Sequence, residues 1–141
     1  MHLKLTNGTP AKYTLGQLRR DNPNTSFPKI IPDELLASYD VYPYTRPAAP
    51  EYDSLTAKVV DGSFEQDVDG IWSLPHVIEQ HPTEQAERNI RSQRDGLMQE
   101  TDWMALSDNT VASDWATYRQ ALRDITGQSG FPYEITWPTK P

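Results

Sequence analysis

Apolar and polar positions alternate at first and then change period along the chain. Residues 3–6 read Leu-Lys-Leu-Thr, a short run of period two, and Asn7-Gly8 follows as a turn signal; together with 12–15 this predicts a hairpin. Residues 15–21 fit one helical turn or a loop. Asn22 to Pro28 is turn chemistry throughout, and 32–39 suits a short helix with Pro32 in its first turn and Asp33 and Glu34 near the positive end of its dipole. Residues 41–52 carry three prolines, each restricting the residue before it, and predict an extended arm rather than a core strand. Residues 56–60 and 70–77 have strand character. Asp61-Gly62 and Asp69-Gly70 punctuate them, as in a small hairpin or meander.

From Pro82 the period becomes helical. Thr83 is placed to cap a helix running to about residue 100, with Glu84 and Glu87 in its first turn. Ala86, Ile90, Gln93 and Leu97, with Met98 beside them, follow 4-3-4 spacing and mark one face. A second helix opens between 109 and 114 and ends near Thr126-Gly127, with Trp115, Tyr118, Leu122 and Ile125 on one face. Joined by a short turn, the two make a helical hairpin. The expected class is therefore α+β. A small, irregular, β-rich part spans 1–82 and includes the Pro-rich arm at about 41–52; the two-helix hairpin and a tryptophan-proline tail span 83–141.

Composition narrows the function classes. The 141 residues include twelve prolines, seven of them between Pro10 and Pro50, and 36% hydrophobic residues, so some burial is expected to be completed on a partner. Net charge is −7, and both parts are acidic: seven basic against eleven acidic residues in 1–82, six against nine in 83–141. Binding along a phosphate backbone is not expected. The absence of cysteine removes disulfide and thiolate chemistry and fits a reducing compartment. No apolar run is long enough for a membrane helix, and the N-terminus lacks a signal core, so the expectation is a soluble cytoplasmic protein without membrane contact.

Reactive constellations are not apparent. His2, His76 and His81 lack the spacing of a metal site, and Asp61, Asp67 and Asp69 fail the calcium-loop template because Gln66 stands at its sixth position. Hydrolase, phosphate-loop and dinucleotide fingerprints are missing. No enzyme activity and no cofactor are expected. The chemistry-bearing residues instead cluster near the hairpin. Trp103, Trp115 and Trp137 fall within 35 residues, either as glue for a small core or as a binding hot spot. Arg88, Arg91 and Arg94 recur every third residue, and Arg91 can pair with Asp95 at i,i+4. Arg119 lies four residues after Trp115, within reach of a cation–π contact. Either these arginines form solvated pairs, or Arg91, Arg94, Arg119 and Arg123 meet Asp102 and Asp124 between the helices or carboxylates on a partner. Asp102 also suits a turn or cap.

The order of these residues resembles the C-terminal region of bacteriophage tail assembly chaperones. The shared pattern is two arginines before a Leu-Leu pair, Thr-Asp-Trp, Trp-x-x-Tyr-Arg-Gln-x-Leu-Arg-Asp, Gly-Phe-Pro and Trp-Pro. Here it falls on Arg91, Arg94, Leu97, Met98, Thr101, Asp102, Trp103, Trp115, Tyr118, Arg119, Leu122, Arg123, Phe131 and Trp137. Met98 replaces a usual leucine, and Thr126-Gly127-Gln128 a proline-containing turn. The resemblance implies a non-catalytic protein that binds tail or tail-fibre components during virion assembly, in the host cytoplasm. A permanent piece of the tail, baseplate or fibre is the alternative, which would place it in the virion tail; a homo-oligomer within an assembly stays open. Arg91, Arg94, Asp102, Trp103, Trp115, Tyr118, Arg119, Arg123, Phe131 and Trp137 are the residues expected to fix the hairpin or present its binding face.

Overall fold

The computed structural model describes residues 1–106 and 110–141. They form an α+β protein of two compact units: Met1–Pro50 with Val59–Val77, and Glu51–Lys58 with Ile78–Pro141. The part of the expected second-helix opening that falls on residue 109 lies outside the described residues.

The first unit begins with a hairpin about the expected turn, but its second strand is Thr9–Tyr13 rather than 12–15, because Leu15 already belongs to a helix. Strands β1 (His2–Thr6) and β2 (Thr9–Tyr13) pair antiparallel, with His2 opposite Tyr13 and Thr6 opposite Thr9. Asn7 and Gly8 between them both have positive φ, 52° and 79°. A two-residue turn of this hand matches strand twist, and Asn-Gly tolerates it. Helix α1 (Leu15–Asp21) follows at once because Thr14 builds a reciprocal capping box. The Gln17 amide donates to Thr14 Oγ1 at 3.1 Å, and the Thr14 amide donates to Gln17 Oε1 at 2.8 Å. Helix α2 (Asp33–Ala37) is shorter than the expected 32–39; Pro32 caps it in extended conformation rather than lying in its first turn, and Asp33 and Glu34 fill that turn.

The segment at 41–45 departs from expectation. The prolines pointed to an arm, yet β3 (Val41–Thr45) is the middle strand of a five-stranded sheet ordered β2-β1-β3-β6-β5, where β5 is Glu65–Gln66 and β6 is Trp72–Ser73. Its pairing to β1 is antiparallel and to β6 parallel. Burial explains how a strand containing Pro43 is accepted. Val41 and Tyr44 sit on opposite faces and are both buried, so each supplies one of two small cores. Val41 packs with Leu18, Ile31 and Leu36, and Tyr44 with Leu3 and Leu74. The extended arm is thereby shortened to the residues beyond Thr45, which are exposed through Ser54.

Strands β4 (Ala57–Asp61) and β7 (His76–Gln80) pair in a separate two-stranded sheet, with β5 and β6 between them in sequence. Within the first unit Asp61 accepts from Lys12 and from Arg46. The Lys12 hydrogen bond, helped by the Arg46 charge, holds its carboxyl below the ordinary 3.8. The Tyr13 hydroxyl is pushed up to about 12 by burial and by its bond to the Asp21 carboxylate.

In the second unit α3 spans Thr83–Gln99 and α4 spans Ser113–Arg123. Short 3-10 turns follow each, at Asp102–Ala105 and Asp124–Gly127. Thr83 is the first helical residue rather than the cap. Pro82 precedes it in extended conformation, and the Thr83 hydroxyl lies 3.3 Å from the Tyr133 hydroxyl instead. Ala86 and Ile90 of the expected α3 face are fully buried, Leu97 and Met98 half-buried, and Gln93 exposed. On α4, Tyr118 and Leu122 are buried with Ile125 of the following turn, and Trp115 is half-buried.

Candidate protein-binding site

Arg119 is the centre of the helical hairpin. It occupies the stripe between Trp115 and Leu122, so it points inward and is 7% exposed. A guanidinium this buried must have its donors satisfied. Nη1 donates to the Met98 carbonyl at 3.2 Å and to Thr101 Oγ1, and Nη2 donates to the Asp102 carboxylate at 3.0 Å. Thr101 Oγ1 in turn donates to the Met98 carbonyl at 2.9 Å. All three acceptors lie where α3 ends, where backbone carbonyls lack helical partners and the dipole favours a cation. The Thr-Asp pair of one motif and the Arg of the other are thus halves of a single lock.

The outer side of the lock is an open groove of about 420 Å³ lined by Arg94, Asp95, Met98, Asp102 and Arg123. Arg94 pairs with Asp95 at 2.6 Å. Arg123 is exposed and donates to Gln120 Oε1 at 3.4 Å, while Gln120 Nε2 donates to Asp124. Arg123 therefore does not meet Asp102 or Asp124 as an ion pair. A second, apolar pocket of about 190 Å³ is lined by Trp103, Met104, Thr110, Val111, Ala112 and Trp115. Trp103 is 59% exposed, and Trp115 meets the Tyr118 ring edge-on at 6.0 Å.

Other expected pairings are replaced. Arg91 reaches back to Glu87 at 2.8 Å rather than forward to Asp95, and its guanidinium stands 5.4 Å from the Phe131 ring centre. The cation over Trp115 is Lys140, at 5.9 Å, because Arg119 is spent on the end of α3. Lys140 also pairs with Glu100 at 3.1 Å.

The tail is tied down along its length. Gln128 bonds Thr136 twice, donating from Nε2 to its carbonyl at 2.9 Å and accepting its amide at 2.7 Å. This holds the residue before half-buried Trp137. Tyr133 Oη donates to the His81 carbonyl at 2.7 Å. Gly130 is required here: a Cβ would sit 2.2 Å from the Glu134 carbonyl oxygen, whose residue donates its amide to Gly130 at 2.7 Å.

Of the residues expected to form the site, Arg119 and Asp102 meet directly, and Arg94, Asp102 and Arg123 line one groove. Trp103 and Trp115 line the neighbouring pocket, Arg91 and Phe131 meet each other, and Tyr118 is core. Sequence reasoning did not give Lys140, Gln128 or Tyr133 a part. Lys140 and Tyr133 act across 25 or more residues, with no periodic signal to reveal them. Among the described residues no His, Cys, Asp and Glu group is arranged to hold a metal, and no helix is long and apolar enough to cross a membrane.

Residues 87–141 match the family described as phage tail assembly chaperone protein. The match takes in most of α3, the Arg119 lock, α4 and the tail. No curated protein and no solved structure matches the chain.

Proposed function

We propose that the chain binds a tail or tail-fibre component during phage assembly, without catalysing a reaction, and that its binding face is the outer side of the α3–α4 hairpin. The observation that carries this reading is a coincidence of place. The family match covers the segment in which Arg119, Thr101 and Asp102 lock two helices and leave Trp103 and Arg123 facing outward. An inward arginine rigidifies the platform, and exposed tryptophan and arginine are the residue types that dominate protein interfaces. Arg119 is the frame in this reading, and Trp103 with Arg123 the contact.

The test uses tagged full-length protein made in cells that assemble the tail. A tail or tail-fibre protein should co-purify with it, and Trp103→Ala with Arg123→Ala should reduce that yield roughly tenfold or more while far-UV circular dichroism stays unchanged. Assembly of normal tails in cells lacking the chain overturns the reading. Mass spectrometry of purified particles separates the two roles within it: absence from particles marks an assembly factor that leaves, and stoichiometric copies mark a permanent tail component.

A further inference from the structure

Residues 45–54 are ten consecutive exposed positions, outside the family match, and both ends of the run are held. The Thr45 carbonyl accepts the Leu74 amide at 2.9 Å. At the other end the Asp53 carboxylate accepts the Leu55 amide at 2.8 Å, and its carbonyl accepts the amides of Thr56 and Ala57. Between these anchors the text is Arg46-Pro47-Ala48-Ala49-Pro50-Glu51. Pro47 and Pro50 set their own φ near that of polyproline II and bias Arg46 and Ala49 to extended backbone. That helix has three residues per turn, so the two prolines share one edge, with only alanines between them. Much of the ordering entropy of a bound peptide is thus already spent. Segments of this kind dock on grooves lined by aromatic faces.

The chain carries a candidate for such a groove: the apolar pocket whose lining includes both Trp103 and Trp115. We propose that Pro47–Pro50 of one copy seats in the Trp103–Trp115 pocket of a second copy. Glu51, directly after Pro50, then comes beside Lys140, whose ammonium stands over the Trp115 ring and already pairs with Glu100, so Glu51 would join or displace that exposed pair. Arg46 stays on Asp61 and anchors the segment's start. The contact is heterologous, arm to pocket, so each copy has one donor and one acceptor end. The arm and the tail component of the proposed function would share Trp103, so the two occupants exclude one another there.

Sedimentation velocity on the full chain, at concentrations up to about 1 mM to capture a weak contact, tests the proposal with no second protein present. Wild type should associate as concentration rises. An arm variant, Pro47→Gly with Pro50→Gly, and a pocket variant, Ala112→Arg, should each associate roughly tenfold more weakly or not at all. Both sites are exposed, and circular dichroism checks that both variants fold. The deciding sample is an equal mixture of the two. The arm variant brings an intact pocket and the pocket variant an intact arm, so heterodimers should form. Monomeric wild type, association untouched by either variant, or an inert mixture each overturns the proposal.

Discussion

The two units of this protein solve the same problem, a shortage of apolar residues, in different ways. The first divides its core across the two faces of a sheet, Leu18, Ile31, Leu36 and Val41 in one cluster and Leu3, Tyr44 and Leu74 in the other. Its polar bonds are largely solvent-facing, as in the Lys12–Asp61–Arg46 bridge. The second buries Ala86, Ile90, Leu122 and Ile125 and also draws a charged side chain inward, holding it by three hydrogen bonds at a helix end. A bridge of the first kind adds little to stability, whereas a buried cation is costly to disturb. Position rather than number decides which ion pairs matter here.

The largest effect should come from paired core truncations. Leu36→Ala and Leu122→Ala each remove a side chain no more than 1% exposed, and each should cost ~2–5 kcal/mol in denaturant unfolding. Hydrogen exchange should show protection lost first in the unit that carries the substitution; equal loss in both units from either variant would break the contrast.

Arg119→Ala should cost ~2–4 kcal/mol, because the Met98 carbonyl and the buried Thr101 hydroxyl lose their partner. The exposure of Asp102, 62% at its side chain, keeps this below the loss of a pair buried on both sides. The same substitution at Arg123, which faces solvent, should be nearly silent in thermal melts. Equal melting shifts for the two would remove the frame-and-contact distinction.

The smallest effect is acid-dependent. Asp61 has a lowered folded pKa, so its contribution is present above the ordinary 3.8 and is lost as pH falls through the lowered value. Asp61→Asn should therefore change stability slightly at neutral pH and flatten only the acid limb of a stability-against-pH curve. An unaltered acid limb would show that other carboxylates govern it.

Much of the second unit was legible because its signals are local. A 3-4 spacing of Trp115, Tyr118, Leu122 and Ile125 places them on one face whatever surrounds the helix. The same periodicity held the clue to Arg119, which falls inside the stripe. Its neighbour Trp115 offered a nearer partner by spacing, and only the return of the chain brought Thr101 and Asp102 closer. The first unit was less legible. Pro43, Pro47 and Pro50 all read as arm, but the burial of Val41 and Tyr44 makes Val41–Thr45 a central strand.

Features that neighbours within a few residues can enforce were set by the chain's own order. These are the Asn7-Gly8 turn, the start of α2 just after Pro32, the two amphipathic helices, an acidic chain without cysteine, and the ordered motif that the family match meets. The tertiary structure alone decided which strand is central, which arginine is buried, and that Lys140 rather than Arg119 covers Trp115. The reason is physical. Backbone torsions and helical periods are set by adjacent residues, whereas desolvation and pairing are set by whichever distant groups the folded chain brings within hydrogen-bond reach.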